Sequence, residues 1–205
     1  MASSLSDLSD TRHAEKMAKK RAARVKMLKT KTIERGVVIV NTGPGKGKST
    51  AAFGMVARNL GHGRRVGIVQ FIKGAWHTGE KAFFDSYKDQ VRIFTMGEGF
   101  TWETQDRQRD IKAAQAAWDK AQTLLVDETI NLVVLDEINV VLRHGYLDFA
   151  PIRTAIEQRP TMQHVILTGR NAPEDLLELA DTVTEMKPLK HAFRAGVKAQ
   201  VGVEF

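Results

Sequence analysis

The segment that most constrains this chain is a glycine-rich loop directly after a short apolar run. Val37-Val38-Ile39-Val40 has the β-branched composition of a buried strand. It leads into Thr42-Gly43-Pro44-Gly45-Lys46-Gly47-Lys48-Ser49. A strand that breaks into glycines and restarts as a helix makes a phosphate cradle, because backbone N–H groups converge on one anion and the helix adds the positive end of its dipole. The segment therefore predicts a nucleoside triphosphate site.

Individual side chains in this loop fit the same chemistry. Lys48 would neutralise phosphate charge, and the Ser49 hydroxyl would complete the shell of a magnesium ion. The strict pattern G-x-x-x-x-G-K-[ST] is missed by one residue, because Thr42 stands where its first glycine belongs. An ordinary glycine turn is the alternative, but such a turn has no need of the Lys-Ser pair. We assign nucleotide binding to Thr42, Gly43, Pro44, Gly45, Lys46, Gly47, Lys48, Ser49 and Thr50.

The composition of the 205 residues excludes several classes of protein. No apolar run approaches the roughly 18 residues of a membrane helix. The first residues lack the apolar segment of a signal peptide. With no cysteine, the chain has no disulfides and no thiolate metal site, which fits a reducing compartment. We expect a cytoplasmic protein without a membrane partner.

The positive charge is concentrated at the N-terminus. Residues 1–35 contain 10 Lys or Arg against 4 acids, whereas the remainder contains 21 basic and 20 acidic residues. Because a nucleic-acid enzyme more often has a basic face on its folded domain, we expect no nucleic-acid partner. We divide the chain into a basic arm, residues 1–35, and an α/β domain, residues 36–205. From about Arg12 to Lys31 the arm favours helix; it is either a solvated helix or a segment that docks over an anionic ligand or a second subunit.

From Gly36 onward, apolar runs alternate with helical patterns at the spacing of βαβ units. This indicates an α/β, P-loop NTPase-like fold with a mostly parallel sheet flanked by helices. The predicted strands are Val37–Asn41, Arg65–Phe71, Val91–Thr95, Leu132–Leu135, His164–Leu167 and Thr182–Glu185. The predicted helices are Lys48–Leu60, Thr104–Leu125, Asp148–Gln158 and Pro173–Leu179. Trp118 lies on the apolar stripe of the longest of these helices, so we expect it in the core.

A pair of acids follows the apolar run Leu132-Val133-Val134-Leu135. Open α/β sheets bind ligands at the carboxyl ends of their strands, which is where Asp136 and Glu137 should lie. In a P-loop protein a carboxylate there reaches the magnesium ion directly or through water. The alternative is a helix N-cap, with Asp136 capping and Glu137 in the first turn. We predict a magnesium site formed by Ser49, Asp136 and Glu137, and leave open which acid contacts the metal.

Two aromatic residues flank a threonine in the loop Gly97-Glu98-Gly99-Phe100-Thr101-Trp102-Glu103-Thr104. An aromatic pair on a glycine-bearing loop either forms an apolar wall for a flat ligand or fills a hydrophobic gap. The residues alone leave both readings open.

Taken together, these motifs resemble the P-loop-type ATP:corrinoid adenosyltransferases, also called cob(I)alamin or cob(I)yrinic acid a,c-diamide adenosyltransferases. The resemblance extends from the basic arm to the last residue and rests on a set of segments. Besides the glycine-rich loop, these are Ala51-Ala52-Phe53-Gly54, Val69-Gln70-Phe71-Ile72-Lys73-Gly74, Gly99-Phe100-Thr101-Trp102-Glu103-Thr104, Val134-Leu135-Asp136-Glu137, Thr168-Gly169-Arg170, Lys190-His191-Ala192-Phe193 and Gly196-Val197-Lys198-Ala199-Gln200. The family's loop has the same form with threonine at the position of Thr42.

The resemblance implies transfer of the 5′-deoxyadenosyl group of ATP to the cobalt of a reduced corrinoid, with triphosphate as the leaving group. It also implies that the phosphates lie reversed relative to those in ordinary P-loop kinases, and that Arg170 contacts ATP. Phe100 and Trp102 match aromatics beside the lower face of the corrinoid, where they would displace the axial ligand and make Co(II) easier to reduce. With Lys48, they are the implied catalytic residues.

The resemblance also implies partners, and other classes of protein have to be weighed against it. A homodimer is implied, and the reducing electron would come from a flavoprotein, since the chain has no redox motif. A recombinase-like or helicase-like ATPase, acting on nucleic acid through the basic arm, would share the loop and the acid pair but has no need of Phe100 and Trp102. A small-molecule kinase would need a base near an acceptor hydroxyl. The physiological corrinoid stays open.

Overall fold

The computed structural model describes residues 4–72, 79–96 and 106–203. The chain divides into two units, Met1–Glu34 and Arg35–Phe205. The first unit consists of helix α1, Ser4–Lys29, which begins earlier than the predicted Arg12. From residue 10 onward its residues are exposed. Its role remains a prediction.

The second unit is built on a parallel sheet, which confirms the predicted α/β fold class. Within the described residues the sheet has six strands in the order β3-β2-β4-β5-β1-β6, and every neighbouring pair is parallel. The strands are β1 (Val38–Thr42), β2 (Val66–Gln70), β3 (Val91–Thr95), β4 (Leu132–Asp136), β5 (His164–Thr168) and β6 (Thr182–Glu185). The predicted strands match these within one residue at each end.

Helices connect the strands and cover the sheet. They are α2 (Lys48–Gly61), α3 (Gly79–Phe84), α4 (Arg107–Leu125), α5 (Ile138–Arg143), α6 (Phe149–Glu157) and α7 (Glu174–Leu179). Helix α4 begins at Arg107, three residues after the predicted start near Thr104, because the Asp106 carboxylate caps the helix by accepting from the backbone N–H groups of Gln108 and Arg109. The sequence patterns also missed α3 and α5, whose six residues are too few to establish a helical period.

Both faces of the sheet are packed, as an all-parallel sheet requires. On one face α4 contributes small residues and Trp118, which is 4% exposed and is therefore confirmed as a core residue. A Cβ added at Gly67 of β2 would lie 2.6 Å from Leu124, so the missing side chain lets α4 approach the sheet closely. On the other face α2 packs through Ala52, Phe53 and Val56.

The topology fixes where a site can form. Because the strands are parallel, the carboxyl ends of β1, β2, β4 and β5 lie at one edge of the sheet, where open α/β sheets bind ligands. Along the described parts of the chain, no helix is both long and apolar enough to cross a bilayer.

Candidate active site

The glycine-rich loop joins β1 to α2 and leaves the start of that helix without a side-chain cap. Gly47 occupies the N-cap position with a φ of 106° and makes no side-chain cap bond. The first N–H groups of a helix have no partner within the helix. In this loop those N–H groups would donate hydrogen bonds to a bound anion, and the positive end of the helix dipole would stabilise its charge.

Two glycines of the loop are required by a close approach of the chain that follows β6. A Cβ at Gly43 would lie 2.6 Å from the Met186 carbonyl oxygen, and one at Gly45 would lie 2.7 Å from it. The Gly45 N–H donates to that oxygen at 2.7 Å, and the Met186 N–H donates to the Thr42 carbonyl at 2.9 Å. Any side chain at these two positions would break the pairing that shapes the loop.

Lys48, the first residue of α2, is folded back into the loop. Its side chain is buried, with the residue only 7% exposed, and its Nζ donates to the Gly45 carbonyl at 2.5 Å. Burial lowers the pKa of Lys48, the Glu137 carboxylate opposes this, and Arg170 lowers the pKa further. The ammonium group therefore lacks full compensation in the free protein, and an anionic ligand would supply it.

The carboxylate of Asp136, at the end of β4, joins the loop to the strand ends. Asp136 is fully buried, and its Oδ1 accepts hydrogen bonds from the hydroxyls of Ser49 and Thr168, each at 2.7 Å. Its Oδ2 accepts from the side-chain amide of Gln70 at 3.3 Å. The structure thus brings together two residues that the sequence analysis assigned to one site, Ser49 and Asp136.

These contacts belong to a row of polar side chains across four strands. Gln70 pairs in register with Asp136 on one side and with Thr95 on the other. The Thr95 hydroxyl donates to the Gln70 side-chain oxygen at 3.1 Å. The row Thr95–Gln70–Asp136–Thr168 was missed as a unit by the sequence analysis. The available signal was that each of these residues is a polar residue ending an apolar strand.

Glu137 has a strained backbone beside this row. Its φ is 66°, in the left-handed region that non-glycine residues rarely adopt. Its N–H donates to the Thr168 hydroxyl at 3.0 Å, so one hydroxyl serves both acids. Glu137, and not Asp136, is the N-cap residue of α5, and its side chain makes no capping bond. The alternative in which Asp136 caps a helix does not fit this arrangement.

Asparagine side chains hold the surrounding backbone. The buried Asn139 amide donates to the carbonyls of Asn41 at 3.3 Å and Gly169 at 3.0 Å. The Asn41 amide in turn donates to the Lys48 carbonyl at 3.2 Å. The sequence analysis did not single out either asparagine. Together they tie β1 and the ends of α2 and β5 to one another, which keeps the loop in place.

The remaining predicted residues differ in exposure. Pro44, Lys46, Thr50 and Arg170 are exposed, and the charges of Lys46 and Arg170 both act on Lys48. The Thr42 hydroxyl accepts from the Ala172 N–H at 3.0 Å, so this side chain supports the loop that carries Arg170. Phe100 and Trp102 lie outside the described residues.

Comparison with known proteins assigns the α/β unit to one family. A family model described as ATP:corrinoid adenosyltransferase BtuR/CobO/CobP matches residues 34–205. The chain belongs to this family. This ATP:corrinoid adenosyltransferase family member is an enzyme of the transferase class, and ATP and a corrinoid are the substrates of its family.

Individual relatives support the same assignment over nearly the whole chain. A corrinoid adenosyltransferase of Sinorhizobium sp is 58% identical over 198 residues, covering 96% of this chain and 92% of that protein. One from Pseudomonas aeruginosa is 58% identical over 196 residues, covering 96% and 97% respectively. The protein named corrinoid adenosyltransferase CobA in Salmonella typhimurium is 48% identical over 172 residues, covering 84% and 87%. The nucleic-acid ATPase alternative is not favoured by these relatives.

Proposed function

We propose that this enzyme transfers the 5′-deoxyadenosyl group of ATP to the Co(I) centre of a reduced corrinoid and releases triphosphate, in adenosylcobalamin synthesis or salvage. The observation that carries the proposal is the uncapped start of α2 with Lys48 buried beside it and Ser49 bonded to Asp136. These features support a site for the triphosphate of ATP, in a chain that belongs to a corrinoid adenosyltransferase family.

The proposed reaction is a displacement at carbon. An electron pair on Co(I) attacks C5′ of ATP, a cobalt–carbon bond forms, and the C5′–O bond breaks with its electrons leaving on the triphosphate. Cobalt is formally oxidised to Co(III). Negative charge therefore grows on the whole triphosphate, and no proton has to be removed, so the site needs no general base.

The chain's own groups would stabilise that growing charge. The N–H groups at the start of α2 and the Lys48 ammonium are fixed before the reaction, which is the condition for electrostatic catalysis. Removing one such preorganised donor typically costs about 10²–10³ in kcat. Arg170, exposed two residues after the end of β5, would add a second cation to the phosphates.

The oxygen donors at the strand ends fit a magnesium ion, which prefers a few hard oxygen ligands and the substrate phosphates. We propose that the Ser49 hydroxyl and the Glu137 carboxylate hold the ion. Asp136 would orient Ser49, since its Oδ1 already accepts the Ser49 hydroxyl. The bound ion would offset charge on the triphosphate oxygens.

The remaining roles rest on the family resemblance. Phe100 and Trp102 would act at the lower face of the corrinoid and exclude the axial ligand during reduction of Co(II). A flavoprotein would supply the electron. We further propose a homodimer, in which the basic arm docks over the corrinoid or the second subunit; sedimentation of the full chain and of a chain beginning at Thr32 would test this.

The decisive experiment is an ultraviolet–visible assay with cob(I)alamin, ATP and magnesium. We expect a light-sensitive cobalt–carbon product that forms with the wild-type protein and is reduced at least a hundredfold in rate by Lys48→Ala, consistent with loss of one preorganised charge. Lys112→Ala, on an exposed position of α4, is the matched control and should keep full activity. A normal rate for Lys48→Ala at saturating ATP would contradict the assignment, and DNA-dependent phosphate release would instead support a nucleic-acid ATPase.

A further inference from the structure

A second candidate site lies at the opposite edge of the sheet from the glycine-rich loop. Here the last turn of α2, the turn that follows it, and the first residues of β4 and β5 enclose a groove of about 480 Å³. Four basic residues line it, Arg58, His62, Arg64 and His164, and Leu132 contributes to its apolar wall. The groove is large enough for a small organic molecule.

Its positive charge has no counterpart among the described residues. Neither the Arg58 nor the Arg64 guanidinium has a hydrogen bond or ion pair there, and no described acid lines the groove. Three other arginines of the α/β unit do pair with carboxylates: Arg35 with Asp181, Arg92 with Asp127 and Arg153 with Glu157. Arg58 and Arg64 therefore share one groove without a carboxylate partner among the described residues, in a domain whose basic and acidic residues nearly balance.

The turn carrying these residues has a definite conformation. The Asn59 carbonyl accepts from the N–H groups of both His62 and Arg64 at 3.0 Å. These two N–H groups therefore partly satisfy the carbonyl groups at the C-terminal end of α2, which is the negative end of the helix dipole. The Asn59 side-chain amide donates to the Met55 carbonyl, but its buried Oδ1 has no partner among the described residues.

His164 adds a fixed hydrogen-bond donor. Its Nδ1 accepts from the Val37 N–H at 3.1 Å, so the neutral imidazole carries its proton on Nε2. Burial lowers the pKa of His164, and the charges of Arg64 and Arg159 lower it further. The imidazole thus experiences a positive field from these two guanidinium groups.

We propose that this groove binds a small phosphate-bearing anion. Guanidinium groups present paired donors that match phosphate oxygens, and the Nε2–H of His164 supplies one more. The site is separate from the glycine-rich loop, because Ser49 and Arg58 are nine residues apart on α2, about 14 Å along a helix axis. The anion is either free inorganic phosphate, an oligophosphate such as triphosphate, or the phosphate of a nucleotide.

The test follows the His164 imidazole by heteronuclear NMR in the full-length protein. Inorganic phosphate, tripolyphosphate and adenosine monophosphate are titrated separately, and no corrinoid is present, so the result is independent of the proposed reaction. We expect a saturable shift of the His164 signals with at least one probe, and the tightest probe identifies the source of the phosphate. The pKa of His164 should rise in the complex, because the anion favours the charged ring.

A pair of variants makes the test specific to the groove. Arg58→Gln with Arg64→Gln should weaken the binding seen at His164 at least tenfold, while the KM for ATP stays unchanged. Arg92→Gln with Arg153→Gln removes the same charge elsewhere and should leave the binding intact. The proposal is overturned if no probe gives a saturable shift at His164, or if the shift in the Arg58/Arg64 double variant equals that of the wild type.

Discussion

The hydroxyl of Ser49 donates a 2.7 Å hydrogen bond to Oδ1 of Asp136, although the two residues are 87 positions apart in the sequence. Ser49 belongs to the first turn of α2 and Asp136 ends β4. The bond fixes the hydroxyl against a fully buried carboxylate. The two acids therefore have different roles in the proposed magnesium site: Asp136 orients Ser49, and Glu137 is the proposed carboxylate ligand.

That difference predicts unequal effects on the metal requirement. Glu137→Gln should raise the magnesium concentration for half-maximal activity at least tenfold, because it removes a proposed ligand charge. Asp136→Asn should raise it less, since the substituted side chain retains an oxygen for Ser49. Magnesium titrations of the adenosylation rate measure both, with Glu157→Gln, an exposed position, as the control. Equal and negligible effects would mean that both acids are structural.

The backbone conformation of Glu137 should lower the stability of the protein, while its side chain supports activity. A left-handed backbone costs a non-glycine residue roughly 1–2 kcal/mol, and Glu137 has a φ of 66°. Glu137→Gly should therefore raise the free energy of unfolding by about 1 kcal/mol in urea titrations while lowering activity as much as Glu137→Gln does. If Glu137→Gly is less stable than the wild type, the side chain, and not the backbone, dominates the energetics at this position.

The depressed pKa of Lys48 predicts proton uptake when ATP binds at alkaline pH. At a pH between the folded-state pKa of Lys48 and its ordinary pKa of 10.5, the side chain is partly neutral in the free protein. Bound phosphates would raise the pKa of Lys48 again, so a proton would be taken up. In the same window the unfolded chain binds more protons at Lys48 than the folded one, so this residue's contribution makes stability rise with pH. Calorimetry of ATP binding in buffers of different ionisation enthalpy measures the uptake. Lys48→Ala should abolish it, and an undiminished uptake would assign the proton to another group.

Two glycines should respond oppositely to the same substitution. Gly45→Ala should destabilise the protein and weaken ATP binding, because its Cβ would lie 2.7 Å from the Met186 carbonyl oxygen. Gly54→Ala should stabilise it by about 0.5–1 kcal/mol, since an exposed helix glycine gains from alanine and no atom lies within 4 Å of its added Cβ. Urea unfolding of both variants is the measurement. A stable Gly45→Ala variant would show that Met186 can move aside.

The proposed role of Phe100 and Trp102 predicts a split between two assays. The double variant Phe100→Ala with Trp102→Ala should lose activity when Co(II) corrinoid is supplied with a mild flavin reductant. It should keep much of its activity with chemically reduced Co(I), because the phosphate loop is unchanged. Equal losses in both assays would assign the aromatics to corrinoid binding or loop folding.

Much of the fold follows from local patterns. Most strands were predicted within one residue because a run of buried apolar residues bounded by turn residues is a local signal, although β6 is exposed along its length. The glycine-rich loop could also be predicted. A phosphate site needs converging N–H groups and a nearby ammonium group, and here consecutive residues supply both. The start of α4 was misplaced by the sequence pattern, since the capping role of Asp106 depends on where its carboxylate points.

Other features of the site required the tertiary structure. The row Thr95–Gln70–Asp136–Thr168 depends on strand order and register, which bring together residues from four separate segments. Likewise, Gly43 and Gly45 are necessary because Met186 passes over them from the far end of the chain. By itself the sequence determined the six strands, the longer helices, the phosphate loop and the family resemblance, because these depend on neighbours along the chain. Only the fold decided which carboxylate oxygen meets which hydroxyl, because hydrogen bonds act over about 3 Å in space regardless of sequence separation.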